Sequence, residues 1–145
     1  MKKSGFLLLI ALVTISTTHT QTVKINTIEG TAIKGYDAVA YFMQQKAMPG
    51  DTSFTYNWSG SNWQFISQAN LDSFKVAPEK YVPQYGGFCA YGCSANHLSP
   101  TDPNAWTIVD NNLYLNYNLK VKDLWLKDTT NLIKKADGLW PSLNK

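Results

Sequence analysis

Cys89, Cys93 and His97 place three soft or borderline metal donors within nine residues of one another. Thiolate and imidazole suit Cu(I) or Zn(II) better than Mg or Ca, which prefer oxygen ligands. Other soft ligands are scarce: away from the N-terminus the chain adds only Met43 and Met48. On an ideal helix residues four apart share a face, so Cys89 with Cys93, or Cys93 with His97, can clasp one ion. Cys89 and His97 would then stand about 12 Å apart along the axis at about 1.5 Å per residue. Metal bonds of about 2.0 to 2.3 Å cannot close that gap. The trio can share an ion only if the helix breaks between Ser94 and Asn96, with Asp37, Tyr36 or a Met completing the ligand set and Tyr91 beside it.

The same residues allow other chemistry. Two close cysteines can form a redox-active or structural disulfide in an oxidising compartment. Helical neighbours at that spacing hold their Cβ atoms about 5 to 6 Å apart, against about 3.8 Å in a disulfide, so the bond needs a distorted helix or a loop. A Cys93–His97 nucleophile pair lacks any recognisable orienting group, and there is no Gly-x-Ser-x-Gly elbow, phosphate loop or His-Glu-x-x-His helix. These absences favour binding over catalysis. The third reading is a protein-interaction or scaffold module in which the Cys residues are merely packed, since buried Cys is often just a small apolar residue. Asp37, set between Tyr36 and Ala38-Val39-Ala40, is either a ligand or a cap for backbone donors in a turn. The Gly86-Gly87 pair makes a tight turn or an anion-binding nest.

Two hairpins and three to four helices must position these groups. Ser53 to Trp58 alternates polar and aromatic residues, Ser59 to Asn62 supplies a turn, and Trp63-Gln64-Phe65 resumes the alternation. Trp106 to Val109, the turn Asp110 to Asn112, and Leu113 to Leu115 repeat the pattern. Ser67 caps a helix reaching about Ala77, Asn118 caps another through Val121, Leu124 and Trp125, and a last helix runs through Leu132, Ile133, Ala136 and Trp140 to Pro141. The segment after Gly87 reads as a short packed helix or an irregular loop. The fold class is therefore α+β, a small single domain with mainly antiparallel pairing.

The stretches Gly35 to Phe42, Trp63 to Phe74, Ala77-Pro78-Glu79-Lys80-Tyr81 and Tyr85 to Tyr91 resemble the YHS domain family. The tail from Trp106 to Pro141, with Asn116-Tyr117 and Ala136-Asp137, is similar to its exported single-domain subgroup. The resemblance implies the family's fold and a metal-binding role. In the metal-associated form three cysteines occupy positions that align here with Ala40, Ile66 and Asn70. None of these can supply a thiolate, so a metal would have to use other residues.

Lys2 and Lys3, an apolar run from Gly5 to Ile15 and the small polar stretch to Thr20 read as a signal peptide over residues 1–20. The domain then occupies residues 21–145, in the periplasm or outside the cell, with no membrane span after cleavage. It keeps 11 Lys and 10 Asp and Glu, a net charge of +1. With no basic cluster, nucleic acid is not an expected partner. A metal ion of Cu or Zn type, or a small ligand, is the expected one, and the sequence names no protein partner.

Overall fold

Both expected hairpins form, and their turns explain why. In the computed structural model, which describes residues 22–145, strand β3 (Asp51–Trp58) reverses into β4 (Ser61–Phe65) through Ser59 and Gly60 alone. Both turn residues adopt left-handed backbone, φ 51° and 75°, the two-residue geometry whose twist matches paired strands. Strand β5 (Asp102–Val109) likewise reverses into β6 (Asn112–Asn116) through Asp110 and Asn111, φ 48° and 62°. Each turn is shorter than the sequence suggested, so Ser61, Asn62 and Asn112 join strands. The expected signal peptide lies outside the described residues.

Short strands β1 (Thr27–Ile28) and β2 (Thr31–Ala32) extend the first hairpin into a four-stranded sheet of order β1-β2-β4-β3. Pairing is antiparallel except between β2 and β4, where Thr31 faces Asn62 in parallel. The β5–β6 hairpin stands as a separate two-stranded sheet.

Six α-helices occur among the described residues, against the three to four expected. Helix α2 (Gln68–Val76) begins where Ser67 accepts the Asn70 N–H on its side chain, and α5 (Leu119–Leu126) where Asn118 accepts that of Val121. The additional α1 (Ala40–Met43) and α3 (Pro78–Tyr81) are single turns. Such pieces are unstable alone and too short to show a period, so tertiary packing must hold them. Helix α4 (Ala90–Ser94) follows Gly87, and α6 (Thr129–Leu143) passes through Pro141 instead of stopping there. Proline removes its own N–H and its ring crowds the carbonyl four residues back, yet the last turn holds: the Asn144 N–H reaches the Trp140 carbonyl at 2.9 Å.

One core lies between the four-stranded sheet and α2. Its hub is Phe74, whose ring centroid is 5.1 Å from those of both Trp63 and Phe65. A second core joins Tyr85, Cys93, Tyr114, Trp125 and Ala136, beneath α4, α5 and α6. Among the described residues no helix is long and apolar enough to cross a membrane.

Candidate functional site

The approach to Cys89 is fixed by two unusual turns. Ile33-Lys34-Gly35 (φ 42°, 56°, 77°) and Tyr85-Gly86-Gly87 (φ 56°, 60°, 80°) are each three consecutive left-handed residues. Left-handed backbone is costly for any residue with a Cβ, most of all a β-branched one such as Ile33. The turns touch, for a Cβ on Gly87 would come within 2.9 Å of Ile33 Cγ2. Asn26 locks them: its N–H donates to the Gly86 carbonyl at 2.8 Å and its Nδ2 to the Gly87 carbonyl at 3.0 Å. The Thr101 hydroxyl also donates to the Gly87 carbonyl, at 2.9 Å.

From this anchor the chain enters α4, with Cys89 as its N-cap. Cys89 Sγ accepts the Gly92 N–H at 3.4 Å and donates to Asn116 Oδ1 at 3.7 Å. The same Oδ1 accepts the Tyr91 N–H at 3.1 Å. The helix ends after Ser94, Asn96 turns left-handed (φ 62°), and the His97 N–H returns to the Gly92 carbonyl at 3.1 Å. The break thus falls in the Ser94–Asn96 window that a shared site required. Gly92 is the floor on which His97 folds back: a Cβ there would lie 3.3 Å from His97 Nε2 and 3.4 Å from Ser99 Oγ.

A cavity of about 300 Å³ results, walled by Cys89, Tyr91, His97, Ser99, Tyr117 and Val121 over Gly92. A wider, open groove of about 600 Å³ runs along α6 past Asp128, Asn131, Lys134 and Lys135, and no soft donor lines it.

Of the expected site residues, the structure brings together Cys89, His97 and Tyr91. Cys93 faces away, buried in the second core against Tyr85, Tyr114, Trp125 and Ala136. The four-residue spacing misleads because Cys89 is a cap with φ −57° and ψ 115°, outside helical geometry, so the shared-face rule does not reach it. Both cysteines are free thiols. Among the described residues no group of three or more His, Cys, Asp and Glu side chains is placed to hold a metal ion.

Asp37 and Tyr36 lie outside the cavity wall. Tyr36 packs against the first core, and Met43 is 65 % exposed on α1. Asp37 is fully buried and ties three elements together. One of its oxygens accepts the N–H groups of Val39 (2.7 Å) and Ala40 (3.0 Å). The other accepts the Ile66 N–H (2.8 Å) and Asn70 Nδ2 (2.7 Å). Ala40, Ile66 and Asn70, where the YHS resemblance aligns cysteine ligands, therefore gather around one carboxylate. Gly86 and Gly87 make the tight turn.

The sequence carries no signal that makes Asn116, Ser99, Tyr117 or Val121 a site residue, and Val121 reads there only as a helix position. Asn116-Tyr117 stood out only as a pair shared with the exported subgroup, and nothing in its spacing showed that a strand end would meet α4.

Burial pushes the Cys89 thiol above its ordinary range, and N–H groups of Gly92, Tyr117 and Tyr91 pull in the opposite direction. Burial, then the neighbouring Cys89, pushes Cys93 up to about 12. As pH rises the unfolded chain loses the Cys93 proton first, near the ordinary thiol value of 9.0. The stability this thiol contributes is full below that pH and is lost as pH climbs toward about 12. Burial raises the phenols of Tyr41 and Tyr85 as well, so part of the alkaline decline is independent of Cys93. Urea unfolding at about pH 8 and about pH 11 should show a shallower fall in Cys93→Ala than in the parent. Equal falls in both proteins would contradict the burial of this thiol.

No family model, no curated protein and no solved structure matches this chain.

Proposed function

We propose that this chain is an exported, non-catalytic YHS-like domain that binds a metal ion of Cu or Zn type, or a small ligand, in the cavity between α4 and the start of α5. The observation that carries the reading is that Cys89 and His97, a thiol and an imidazole, line one cavity. Burial raises both thiols above their ordinary range, which disfavours the thiolate that a nucleophile needs. The gathering of Ala40, Ile66 and Asn70 around Asp37 supports the YHS resemblance while filling that place with a carboxylate knot. Cys93 drops out of the ligand set and serves as packing.

The test is anaerobic titration of the protein with Cu(I) and with Zn(II). One ion per chain is expected for at least one of them. Cys89→Ser and His97→Ala should each weaken it by about tenfold or more, and Cys93→Ser should leave it within about twofold. Stoichiometric binding that survives Cys89→Ser and His97→Ala together would overturn the site.

A further inference from the structure

We propose that the cavity between α4 and the start of α5 receives one small uncharged aromatic molecule, of one or two rings, that carries a single hydrogen-bonding group. This rests on the small-ligand side of the reading above and names the class of ligand.

Size comes first. The cavity holds about 300 Å³, the lower end of the range for organic ligands. An apolar cavity of about 150 Å³ accepts benzene, so one or two fused rings match this one. Its wall is held in place by backbone bonds. The Cys89 N–H donates to the Ser99 carbonyl at 3.0 Å, and the His97 N–H to the Gly92 carbonyl at 3.1 Å. A pre-formed wall avoids the ordering cost that a flexible one brings to binding.

The wall also sets the chemistry. Among the described residues it carries no Lys, Arg, Asp or Glu, and burial disfavours the thiolate of Cys89. An ionic ligand would find no ammonium or carboxylate to pair with, and an unpaired charge is costly there. Tyr91, Tyr117 and Val121 supply the apolar surface. The Tyr117 side chain is 52 % exposed, a large ring that the fold leaves uncovered, and aromatic rings attract one another beyond the area they bury.

The polar end is the Gly92 floor. A Cβ there would stand 3.3 Å from His97 Nε2 and 3.4 Å from Ser99 Oγ, so these two polar atoms flank one spot. A ligand hydroxyl or carbonyl directed at it meets an imidazole and a hydroxyl together, and such convergent polar groups fix orientation in an otherwise apolar pocket. Glycine weakens a helix relative to alanine, yet Gly92 lies inside α4 on the cavity floor. Its missing side chain keeps the spot open.

The experiment is NMR titration of the full chain, in excess EDTA, with 2-naphthol and in parallel with 2-naphthoate and decahydro-2-naphthol. 2-Naphthol should shift the His97 ring signals saturably, at one per chain, with a dissociation constant below about 1 mM. 2-Naphthoate should bind about tenfold or more weakly, and the saturated alcohol about threefold or more weakly. Gly92→Ala fills the floor and should weaken 2-naphthol about tenfold; Tyr117→Leu keeps apolar bulk, loses the ring and should weaken it about threefold. Should Gly92→Ala not fold, Tyr117→Leu decides. Unmoved His97 signals, or unchanged affinity in the variants, overturn the site. Equal binding of 2-naphthoate overturns the uncharged class, and equal binding of the saturated alcohol the aromatic one. Binding of Cu(I) or Zn(II) without binding of 2-naphthol removes this proposal and leaves metal binding intact.

Discussion

Asp37→Ala should lower the stability of the fold by about 3 to 5 kcal/mol. The carboxylate is fully buried and receives four N–H donors, from Val39, Ala40, Ile66 and Asn70. Deleting it strands those donors in a site that water reaches poorly, which costs more than the hydrogen bonds themselves contribute. Its loss also weakens the link between α1 and the β4–α2 junction, leaving there the longer bond from Asn70 Nδ2 to Gln44 Oε1 at 3.3 Å. Asn70→Ala removes one of the four partners and should cost less, about 1 to 3 kcal/mol. The comparison is made by urea unfolding. Equal midpoints for Asp37→Ala and the parent would refute the structural role of this residue.

Gly86→Ala should cost about 3 kcal/mol or more, and it should disturb the site as well as the fold. The added Cβ would overlap the Lys24 carbonyl oxygen, a backbone atom that cannot swing aside, and φ is +60°. Relief requires moving either the Lys24–Asn26 segment or the turn that leads to Cys89. Gly60→Ala is the matching control. Its φ is +75°, but the added Cβ meets nothing within 4 Å, so only the left-handed penalty of about 1 to 2 kcal/mol applies. Thermal melts of the two variants should separate clearly. If Gly60→Ala proved the more damaging, the close approach at Gly86 would be wrong.

The architecture was legible wherever local sequence alone sets geometry. Alternating aromatics marked both hairpins, and Ser67 and Asn118 marked helix starts because a cap is a local hydrogen bond. The turn residues show in the sequence but their number does not, since only backbone dihedrals distinguish a two-residue reversal from a longer one. Helices α1 and α3 carry too little sequence to display a period and depend on distant packing. At the site, the soft donors were visible and so was the place where the helix breaks. The grouping was not, because it depends on whether Cys89 is a helical residue or a cap. As a cap it lines one cavity with His97 and bonds Asn116, and Cys93, one turn further on, is directed into the second core. Asp37 shows the same limit, since its distant donors Ile66 and Asn70 come from parts of the chain that only the fold assembles.

The pairing of Cys89 with His97 is tested most directly by following the His97 ring resonances in NMR spectra as Ag(I) is added. The expected result is a stoichiometric shift of the ring signals that persists in Cys93→Ser and disappears in Cys89→Ser. A bound Ag(I) that leaves His97 unmoved, or that moves it equally in Cys89→Ser, would contradict the shared site.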